Sequence, residues 1–363
     1  MNLSETNLSD PSDVASPSPG FKNFTIAVYA VIIAVALIGN LLACLAFIVS
    51  PILRRSPTNH FIFSLAIGDL LTICFSVPFD LEQVVTNHVW SHGEVLCLVW
   101  TSSYLITVPS SIWSLLAVSV DRYKSLKDPL DRFRQTPFMT RKRAGLVILT
   151  LWTYSVLFAL LPIMGWKREP RSVENNFCQF NITPAYSLLS SILNFILPTL
   201  FMCALYWRIY KIASGLTRND AALIQPGNLS FKGEREAKKL KKRIKTTKNI
   251  LVVACAFFFC WTPHTVVSII SAVLYNSCMK CLLAIPGELF TVLLMLGYTS
   301  SALNPYLYAL RNRQFRNALT RFVPGSRHKF AKRHPYSSRH TSSSCGTRQT
   351  SSLSRLSAQS STL

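Results

Sequence analysis

Residues 94–124 read EVLCLVWTSSYLITVPSSIWSLLAVSVDRYK, an apolar run that closes on the charged pair Asp121-Arg122. About 20 predominantly apolar residues are enough to cross a bilayer as a helix, so this run can span one. Charges at the edge of a membrane core are costly unless they are paired or solvated, which makes the pair a candidate functional element. Helical spacing places six residues of the run on one face: Cys97, Tyr104, Val108, Ser111, Leu115 and Arg122.

Six further apolar runs accompany this one, and together they indicate an integral membrane protein. Of the 363 residues, 50% are hydrophobic and 15% are charged, whereas a soluble domain is about a quarter charged. The net charge of +22 comes from basic residues that flank the apolar runs. A nucleic-acid-binding domain would not need such runs, so no nucleic-acid partner is expected. The predicted spans are residues 24–49, 59–86, 94–124, 141–165, 186–212, 241–274 and 283–309.

The distribution of Lys and Arg predicts how these spans are oriented. The connections after spans 1, 3 and 5, and the segment after span 7, hold nearly all of the basic residues. By the positive-inside rule these segments are cytoplasmic, so the N-terminus is extracellular and the protein is expected in the plasma membrane. Glycosylation sequences at Asn2, Asn7 and Asn23, and at Asn181 after span 4, support this orientation.

The last span is followed by an amphipathic segment and a polar tail. Phe315, Leu319 and Phe322 recur at helical spacing among basic residues, which is typical of a helix lying in the inner membrane interface. Pro324 ends this helix, and the Ser/Thr/Arg-rich remainder is predicted to be disordered. The predicted organisation is a disordered extracellular N-terminus at 1–23, an all-α bundle of seven transmembrane helices at 24–310, a short amphipathic eighth helix at 311–322 and a disordered cytoplasmic tail at 323–363.

Each span carries a short motif of polar, aromatic or proline residues. The motifs are, in order, Gly39-Asn40, Leu65-Ala66-Ile67-Gly68-Asp69, Asp121-Arg122-Tyr123, Trp152, Pro198 with Tyr206, Phe257 with Cys260-Trp261-Thr262-Pro263, and Asn304-Pro305-Tyr306-Leu307-Tyr308. In this order, over about residues 24–322, the sequence resembles the rhodopsin-like (class A) G-protein-coupled receptors. The resemblance implies a receptor that signals to heterotrimeric G proteins, with arrestin and a receptor kinase acting at the Ser/Thr-rich tail.

The resemblance also implies roles for two sets of residues in activation. Pro263 removes a backbone hydrogen bond from span 6 and leaves a weak point about which its inner half can swing. The residues implied in relaying movement from the ligand pocket are Ile112, Pro198, Phe257, Trp261 and Pro263. Those implied in G-protein coupling and activation switching are Asp121, Arg122, Tyr123, Leu130, Tyr206, Asn304, Pro305 and Tyr308.

Four cysteines lie at the ends of spans or in outer loops. Cys97 and Cys178 match the disulfide of the family between span 3 and the second outer loop, in an oxidising compartment. Cys278 and Cys281 form a CxxC pair in the third outer loop. A local disulfide is favoured there over a zinc site, which would need two more ligands.

Asp69 is a lone carboxylate near the middle of the membrane. By resemblance it is the sodium-binding acid, with Ser111 and Asn304 as neighbours, and such oxygen ligands suit a hard cation. A protonated acid in a polar pocket is the alternative. Ser300 stands where relatives often have Asn, which predicts weaker sodium coordination. Apart from this ion, no cofactor is expected.

The sequence favours an amine-like ligand without naming it. Residues 297–305 and the polar residues of span 5 resemble those of biogenic-amine receptors. Tyr104, however, stands where these receptors have the Asp that pairs with the amine, so the usual counter-ion is missing. Asp80 or Glu82 could replace it, although carboxylates at a helix end are more often solvated. The expected pocket residues are Tyr104, Val108, Phe180, Ser190, Ser191, Asn194, Trp261, His264 and Tyr298.

Other functions are less well supported. Residues 161–166, together with Phe180, resemble adenosine receptors, so a purine-like or peptide ligand stays open. A retinal pigment is excluded because residues 283–309 contain no lysine for a Schiff base. A transporter or channel would be expected to show internal repeats or a Gly-rich filter loop, and neither is seen. No nucleophile motif or His-rich cluster lies at a membrane face, so an enzyme is not expected.

Overall fold

The structure is a computed structural model that describes residues 18–127, 138–223, 231–283, 285–311 and 313–320. These residues are almost entirely helical, as predicted. The helices are α1 Pro19–Val49, α2 Pro51–Arg54, α3 Pro57–Phe75, α4 Val77–Val85, α5 Gly93–Lys127, α6 Arg141–Ile163, α7 Pro184–Ser191, α8 Leu197–Leu223, α9 Phe231–Ser277, α10 Met279–Leu283, α11 Gly287–Arg311 and α12 Arg313–Leu319.

The long helices form the predicted bundle of seven membrane spans. Six stretches are long and apolar enough to cross a bilayer: Pro19–Val49, Pro57–Val85, Gly93–Lys127, Arg141–Ile163, Pro184–Ser214 and Ile244–Tyr275. The seventh span is α11, whose 25 residues extend for about 37 Å, more than the ~30 Å of the hydrocarbon core. Its mean hydropathy is lowered by buried polar residues such as Ser300, Ser301 and Asn304. The protein is therefore a multi-pass membrane protein.

Helix α5 is the centre of the bundle. It packs against α3, α6, α8 and α9, while α11 closes the bundle by packing against α9 and α1. Buried side chains such as Ile112, Phe257 and Trp261 join these helices in one continuous core. Large apolar side chains on the outside, for example Leu146 and Phe259, are exposed, as expected of a surface that faces lipid.

Three helix starts differ from the predicted boundaries by four residues or more, and one of them is α9, which begins at Phe231 rather than at residue 241. Helix α1 begins at Pro19, where Ser18 caps the backbone N–H of Phe21 at 3.2 Å, so residues 18–23 are not disordered. Helix α11 begins at Gly287 rather than at residue 283. Pro286 disfavours the helical conformation in the residue before it, so the helix cannot start earlier, and Leu283 belongs to the separate α10.

Prolines also interrupt two spans that were predicted as continuous. The second span breaks at Ser76, and Pro78 lies in the first turn of α4. In the fifth span a π-helical turn, Ile192–Ile196, separates α7 from α8 and is closed by the N–H of Leu197 bonding to Ile192 O. Since Pro198 has no N–H to bond to Asn194, the regular helical ladder is lost at this point.

The second outer loop contains a short hairpin that the sequence did not predict. Strand β1 Val173–Glu174 pairs antiparallel with β2 Phe177–Cys178. The turn consists of Asn175 and Asn176, with φ of 49° and 62°, and such two-residue turns accept Asn at positive φ. The Glu94 carboxylate of α5 accepts the N–H groups of Ser172 at 2.7 Å and Val173 at 2.9 Å, which fixes the hairpin to the bundle.

The predicted eighth helix is present as α12. Phe315 is buried and lies 6.1 Å from the ring of Tyr308, while Arg316 is exposed, so the helix is amphipathic. Phe322 and the predicted tail at 323–363 lie outside the described residues.

Only two of the four predicted glycosylation sites lie within the described residues. Asn2 and Asn7 lie outside the described residues. Asn23 is exposed but lies within α1, and Thr25 of its sequon is fully buried. The side chain of Asn181 accepts N–H groups from Arg168 and Glu169 and donates to two loop carbonyls. The glycosylation sequence predicts an asparagine in a surface loop at both positions. Asn23 instead lies within a helix, and the Asn181 side chain is engaged in hydrogen bonds with its own loop.

Candidate functional site

A cavity of about 480 Å³ lies among the outer halves of the helices. This volume is within the range of small-molecule sites. Residues from α4, α5, α7, α9 and α11 line it, together with the second outer loop. All nine residues that were expected in a ligand pocket are among the lining residues: Tyr104, Val108, Phe180, Ser190, Ser191, Asn194, Trp261, His264 and Tyr298.

Trp261 forms the floor of this cavity. Its indole N–H donates to Ser300 Oγ at 3.1 Å, and its ring lies 6.2 Å from that of Phe257 one helical turn below. Gly297 allows this packing, since a Cβ at that position would lie 2.9 Å from the Trp261 ring. Sequence reasoning gave Gly297 no role of its own. Ile112 and Phe257 belong to the same buried core as Trp261, and Pro198 is buried.

Aromatic side chains form the α5 wall of the cavity. The Tyr104 ring lies 5.6 Å from Phe180, 5.7 Å from Trp261 and 5.9 Å from His264. Its hydroxyl is 3.4 Å from Nδ1 of His264. Phe180 is held over Tyr104 because the Cys97–Cys178 disulfide is only two residues away. The position of the usual amine counter-ion is thus occupied by a neutral ring that packs against its neighbours.

Asn194 lines the cavity but is already engaged by the protein. Its side-chain oxygen accepts the hydroxyl of Tyr154 at 2.8 Å and the indole N–H of Trp113 at 3.4 Å. The residue lies in the π-helical turn, and this local rearrangement brings it to the buried side. Ser190 accepts its amide at 3.4 Å. Asn194 therefore ties α5 and α6 to this span.

Asp80 also lines the cavity and is not solvated, contrary to the expectation for a helix end. Only 9% of it is exposed, and its Oδ2 accepts the hydroxyl of Tyr298 at 2.6 Å. Glu82, in contrast, faces outward, and its Oε1 lies 2.7 Å from Nε2 of His92. The spacing of polar residues in the second span is a sequence signal that Asp80 is buried and Glu82 is not. Polar residues recur there every three or four positions on one buried face: Asp69, Thr72, Ser76, Asp80 and Gln83.

Asp69 lies deeper in the bundle, below the cavity. Its Oδ2 accepts the amide of Asn304 at 3.0 Å, so these two predicted neighbours are in contact. Ser111 is buried on the facing helix, with its Oγ 3.5 Å from the position that a Cβ of Gly68 would take. Ser300 is occupied by its bond to Trp261. The Ser301 side chain is a further hydrogen-bond partner of the Asp69 carboxylate.

At the inner end, Arg122 is held by side chains from two helices. Its Nε donates to Asp121 Oδ2 at 3.1 Å, and a terminal nitrogen bonds to the same carboxylate. That nitrogen also donates to Thr58 Oγ1 of α3 at 2.6 Å. Sequence reasoning missed Thr58, because nothing in its local sequence marks the partner. Tyr123 is half-buried, with Lys127 Nζ 5.8 Å from its ring.

Two tyrosines predicted to act with Arg122 point elsewhere in this structure. The hydroxyls of Tyr206 and Ser119 are hydrogen-bonded at 3.0 Å. The Tyr308 hydroxyl is buried and has no hydrogen-bond partner in the part of the chain that the structure describes. A buried hydroxyl without a partner is uncommon and suits a group that bonds in another conformation or to water. Leu130 lies outside the described residues.

Helices α1 and α11 meet through the first and last motifs. A Cβ at Gly39 would lie 3.0 Å from the Pro305 ring, so glycine permits the close approach. The Asn40 amide donates to Ser301 O at 3.0 Å across the same seam. The structure also contains a disulfide between Cys278 and Cys281 in the third outer loop.

Known proteins are similar to this chain in sequence. A family model for the seven-transmembrane receptors of the rhodopsin family matches residues 39–308. The 5-hydroxytryptamine receptor 4 of Cavia porcellus is 31% identical over 307 residues, covering 79% of this chain and 76% of the relative. The histamine H2 receptor of Canis lupus familiaris is 34% identical over 306 residues, covering 83% and 79%. Dopamine receptor 1 of Drosophila melanogaster is 30% identical over 323 residues, covering 81% and 61%.

Proposed function

This chain belongs to the rhodopsin family of seven-transmembrane, G-protein-coupled receptors, and on that premise we propose that it transmits an extracellular amine-like signal to heterotrimeric G proteins. The family consists of receptors, not enzymes. The observation that carries the proposal is the cavity of about 480 Å³ whose floor is Trp261, a residue of the same core that continues toward the inner end. The relatives named for 5-hydroxytryptamine, histamine and dopamine support an amine as the ligand class.

The mechanism follows from the two ends of this core. A ligand in the cavity displaces the Trp261 side chain. Phe257 and Ile112 must then move as well, because the three side chains share one close-packed core. The inner half of α9 then swings about Pro263, where a backbone hydrogen bond is missing. Arg122 leaves Asp121 and Thr58, and the hydroxyls of Tyr206 and Tyr308 turn toward it. The opened inner face admits the G protein.

Nucleotide exchange tests this function directly. The full chain is placed in lipid nanodiscs with a purified heterotrimeric G protein, and GDP release is followed with 5-hydroxytryptamine, histamine or dopamine present. We expect at least one amine to accelerate exchange over that with empty nanodiscs. Exchange that equals the empty-disc rate for every amine and every G-protein class would contradict the proposal.

We propose that Leu130, in the second inner loop, inserts into the G protein. Burying a leucine at an interface is worth roughly 1.5–3 kcal/mol, so Leu130→Ala should lower coupling about tenfold or more. Ligand binding and the melting temperature of the receptor alone should stay unchanged. A variant that melts several degrees lower and then couples normally would identify Leu130 as a packing residue.

The surroundings of the receptor follow from the same proposal. We place it in the plasma membrane with its N-terminus outside, because the basic loops mark the cytoplasmic side. The Ser/Thr-rich segment 323–363 is the proposed site for a receptor kinase and arrestin. Phosphorylation would add negative charge to a strongly basic tail, which is the kind of change that creates a docking site.

We also propose a weak sodium site at Asp69, Ser111 and Asn304. A carboxylate, a hydroxyl and an amide oxygen suit a hard cation, but Ser300 is engaged by Trp261 and supplies less to the set. Raising the sodium concentration should therefore raise the melting temperature only slightly, and Asp69→Asn should remove that rise. Equal responses to sodium and to potassium would argue for general salt effects instead.

A further inference from the structure

We propose that the cavity binds the positive charge of its ligand at Asp80 and Tyr298, on the wall formed by α4 and α11, and not on the α5 wall. The inference rests on the proposed function, since it concerns the same cavity. It specifies the ligand as a molecule with a protonated amine and assigns the residue that recognises the charge.

Asp80 is a buried acid without a cationic partner. Among the described residues, Asp121 forms an ion pair with Arg122 and Glu82 contacts His92, and neither contact involves Asp80. Its hydrogen-bond partners are neutral, namely the Tyr298 hydroxyl, which donates at 2.6 Å, and the Trp100 side chain. Buried or intramembrane charges are costly unless they are paired, so such an acid commonly marks a functional site. A cationic group entering from the cavity would supply the missing partner.

Among the described residues that line the cavity, Asp80 is the only acid. An ammonium group bound anywhere else in it would meet neutral side chains or Arg168, the one lining residue with a permanent positive charge. Tyr104, on the α5 wall, offers a phenol that already lies against His264. Burying an ammonium group without a counter-ion is costly. We therefore place the ammonium group on the wall that contains Asp80, since this residue supplies the negative charge.

The ring arrangement around Asp80 supports a cation as well. Tyr298 lies between Tyr29 at 6.4 Å and Trp261 at 5.9 Å, measured between ring centroids. Trp100 and Tyr104 line the same cavity. The faces of such rings attract ammonium groups within about 6 Å, with the strongest effect where water is excluded. The Tyr298 hydroxyl also fixes the orientation of the carboxylate, so the acid is positioned before the ligand arrives.

The chain offers a matched pair of carboxylates for the test. Asp80→Asn removes the charge and can still accept the hydrogen bond from Tyr298. Glu82→Gln makes the same change two residues away on α4, at a side chain that faces outward and pairs with His92. Asp80→Glu keeps the charge at a slightly different depth, and Tyr298→Phe removes only the hydroxyl.

Binding is measured on the receptor alone, in nanodiscs, from the rise in melting temperature with 5-hydroxytryptamine, histamine and dopamine as probes. We expect Asp80→Asn to weaken amine binding by about 100-fold, as is usual when one partner of a buried charged pair is removed. Tyr298→Phe should weaken it about fivefold, as expected for one hydrogen bond. Asp80→Glu should retain part of the affinity, and Glu82→Gln should match the unmodified receptor.

A second probe needs no variant. The alcohol analogue of the tightest amine lacks the positive charge, and we expect it to bind the unmodified receptor about as weakly as the amine binds Asp80→Asn. If Asp80→Asn does not fold, the loss of affinity from amine to alcohol still shows whether the charge is recognised, and a changed amine affinity in Asp80→Glu locates that recognition at position 80. Amine and alcohol binding with equal affinity, an unchanged affinity in Asp80→Asn, or no binding of any of the three amines would each overturn the inference.

Exchange measurements separate this inference from the proposed function. If amines bind in an Asp80-dependent way but never accelerate exchange on any G protein, the signalling proposal fails and the cation site stands. If amines accelerate exchange equally in the receptor and in Asp80→Asn, the signalling proposal stands and the cation site is wrong.

Discussion

The two ends of the bundle treat buried charge in opposite ways. At the inner end, Arg122 is bonded to Asp121 of its own helix and to Thr58 of α3, so the protein satisfies the charge itself. At the outer end, Asp80 is bonded to a phenol and to no cation within the described residues. The charge of Arg122 is thus paired within the protein, whereas the proposed partner of the Asp80 carboxylate is a cationic ligand.

This difference separates two requirements of a receptor. The inner pair must hold one state until the bundle moves, and a local salt bridge that can be exchanged for new contacts is suited to that purpose. The outer acid must discriminate between ligands, and a buried acid discriminates by rejecting molecules that lack a positive charge. The central core that contains Trp261 and Phe257 joins the two ends.

The largest expected effect comes from Arg122→Ala. The variant should lose all G-protein activation, measured as nucleotide exchange, because the residue that enters the opened inner cavity is gone. Amine binding and surface expression should remain, since Arg122 is remote from the ligand cavity. Asp80→Asn should show the reverse pattern, with amine binding weakened about 100-fold and the inner end intact.

Arg143→Ala is the control for Arg122→Ala. Arg143 is an exposed cation near the inner end of α6 that donates to Phe138 O, so its removal should leave exchange almost unchanged. Normal exchange in Arg122→Ala would remove the central mechanistic claim, and a loss of amine binding in that variant would show that the two ends are not separable.

The inner end was largely predictable from sequence because its chemistry is local. Asp121 and Arg122 are adjacent, and the bond between them follows from that adjacency. Thr58 could not be found in this way, because its contact joins residues 64 positions apart. The seven spans were predictable for a similar reason, since length and hydropathy are properties of each run by itself.

The outer end was less predictable because it depends on breaks in the helices. The interruption at Ser76 and the π-helical turn at Ile192–Ile196 decide which side chains face the cavity. Strands of two residues, as in the β1–β2 hairpin, leave no periodicity to detect. For Asp80 a signal did exist in the spacing of polar residues along the second span, although a carboxylate at a helix end was expected to be solvated.

Loss of the Cys97–Cys178 bond should be the next largest effect and should be confined to the outer end. Cys97→Ser and Cys178→Ser should each cost about 2–4 kcal/mol of stability and weaken amine binding, because the loop carrying Phe180 is released. The double variant should be no worse than either single one, since both remove one bond. Melting temperature and binding of the three variants test this.

The second disulfide is the control for the first. Cys278 and Cys281 are separated by three positions, and Cys97 and Cys178 by 81. Because short closed loops constrain the unfolded chain less, Cys278→Ser should cost clearly less stability. Additive losses from Cys97→Ser and Cys178→Ser would mean that the two cysteines are not partners.

Gly297→Ala probes the junction between the two ends. The new Cβ would lie 2.9 Å from the Trp261 ring, so the ring must shift or α11 must move away from α9. Overpacking of this kind costs about 1–3 kcal/mol, and it should change both basal exchange and amine affinity. Gly145→Ala is the matched control, because a Cβ there meets no atom within 4 Å. If both variants melt and signal alike, Trp261 does not depend on the space that Gly297 leaves.

The smallest expected effect is at the mouth of the cavity. Arg168 of the second outer loop lies 4.3 Å from the centre of the Tyr275 ring and donates to its hydroxyl at 3.1 Å, which joins the loop to the outer end of α9. An exposed contact of this kind is worth about 0.5–1 kcal/mol. Arg168→Ala should therefore speed dissociation of a radiolabelled amine about two- to fivefold while leaving the melting temperature unchanged.

Tyr275→Phe keeps the ring and loses the hydroxyl, so its effect should be intermediate. Arg171→Ala removes an exposed cation from the same loop and should do nothing, since a general loss of positive charge near an amine would, if anything, slow its escape. Unchanged dissociation in Arg168→Ala would show that the outer end stays open without this contact, and that Asp80 and the rings around it retain the ligand alone.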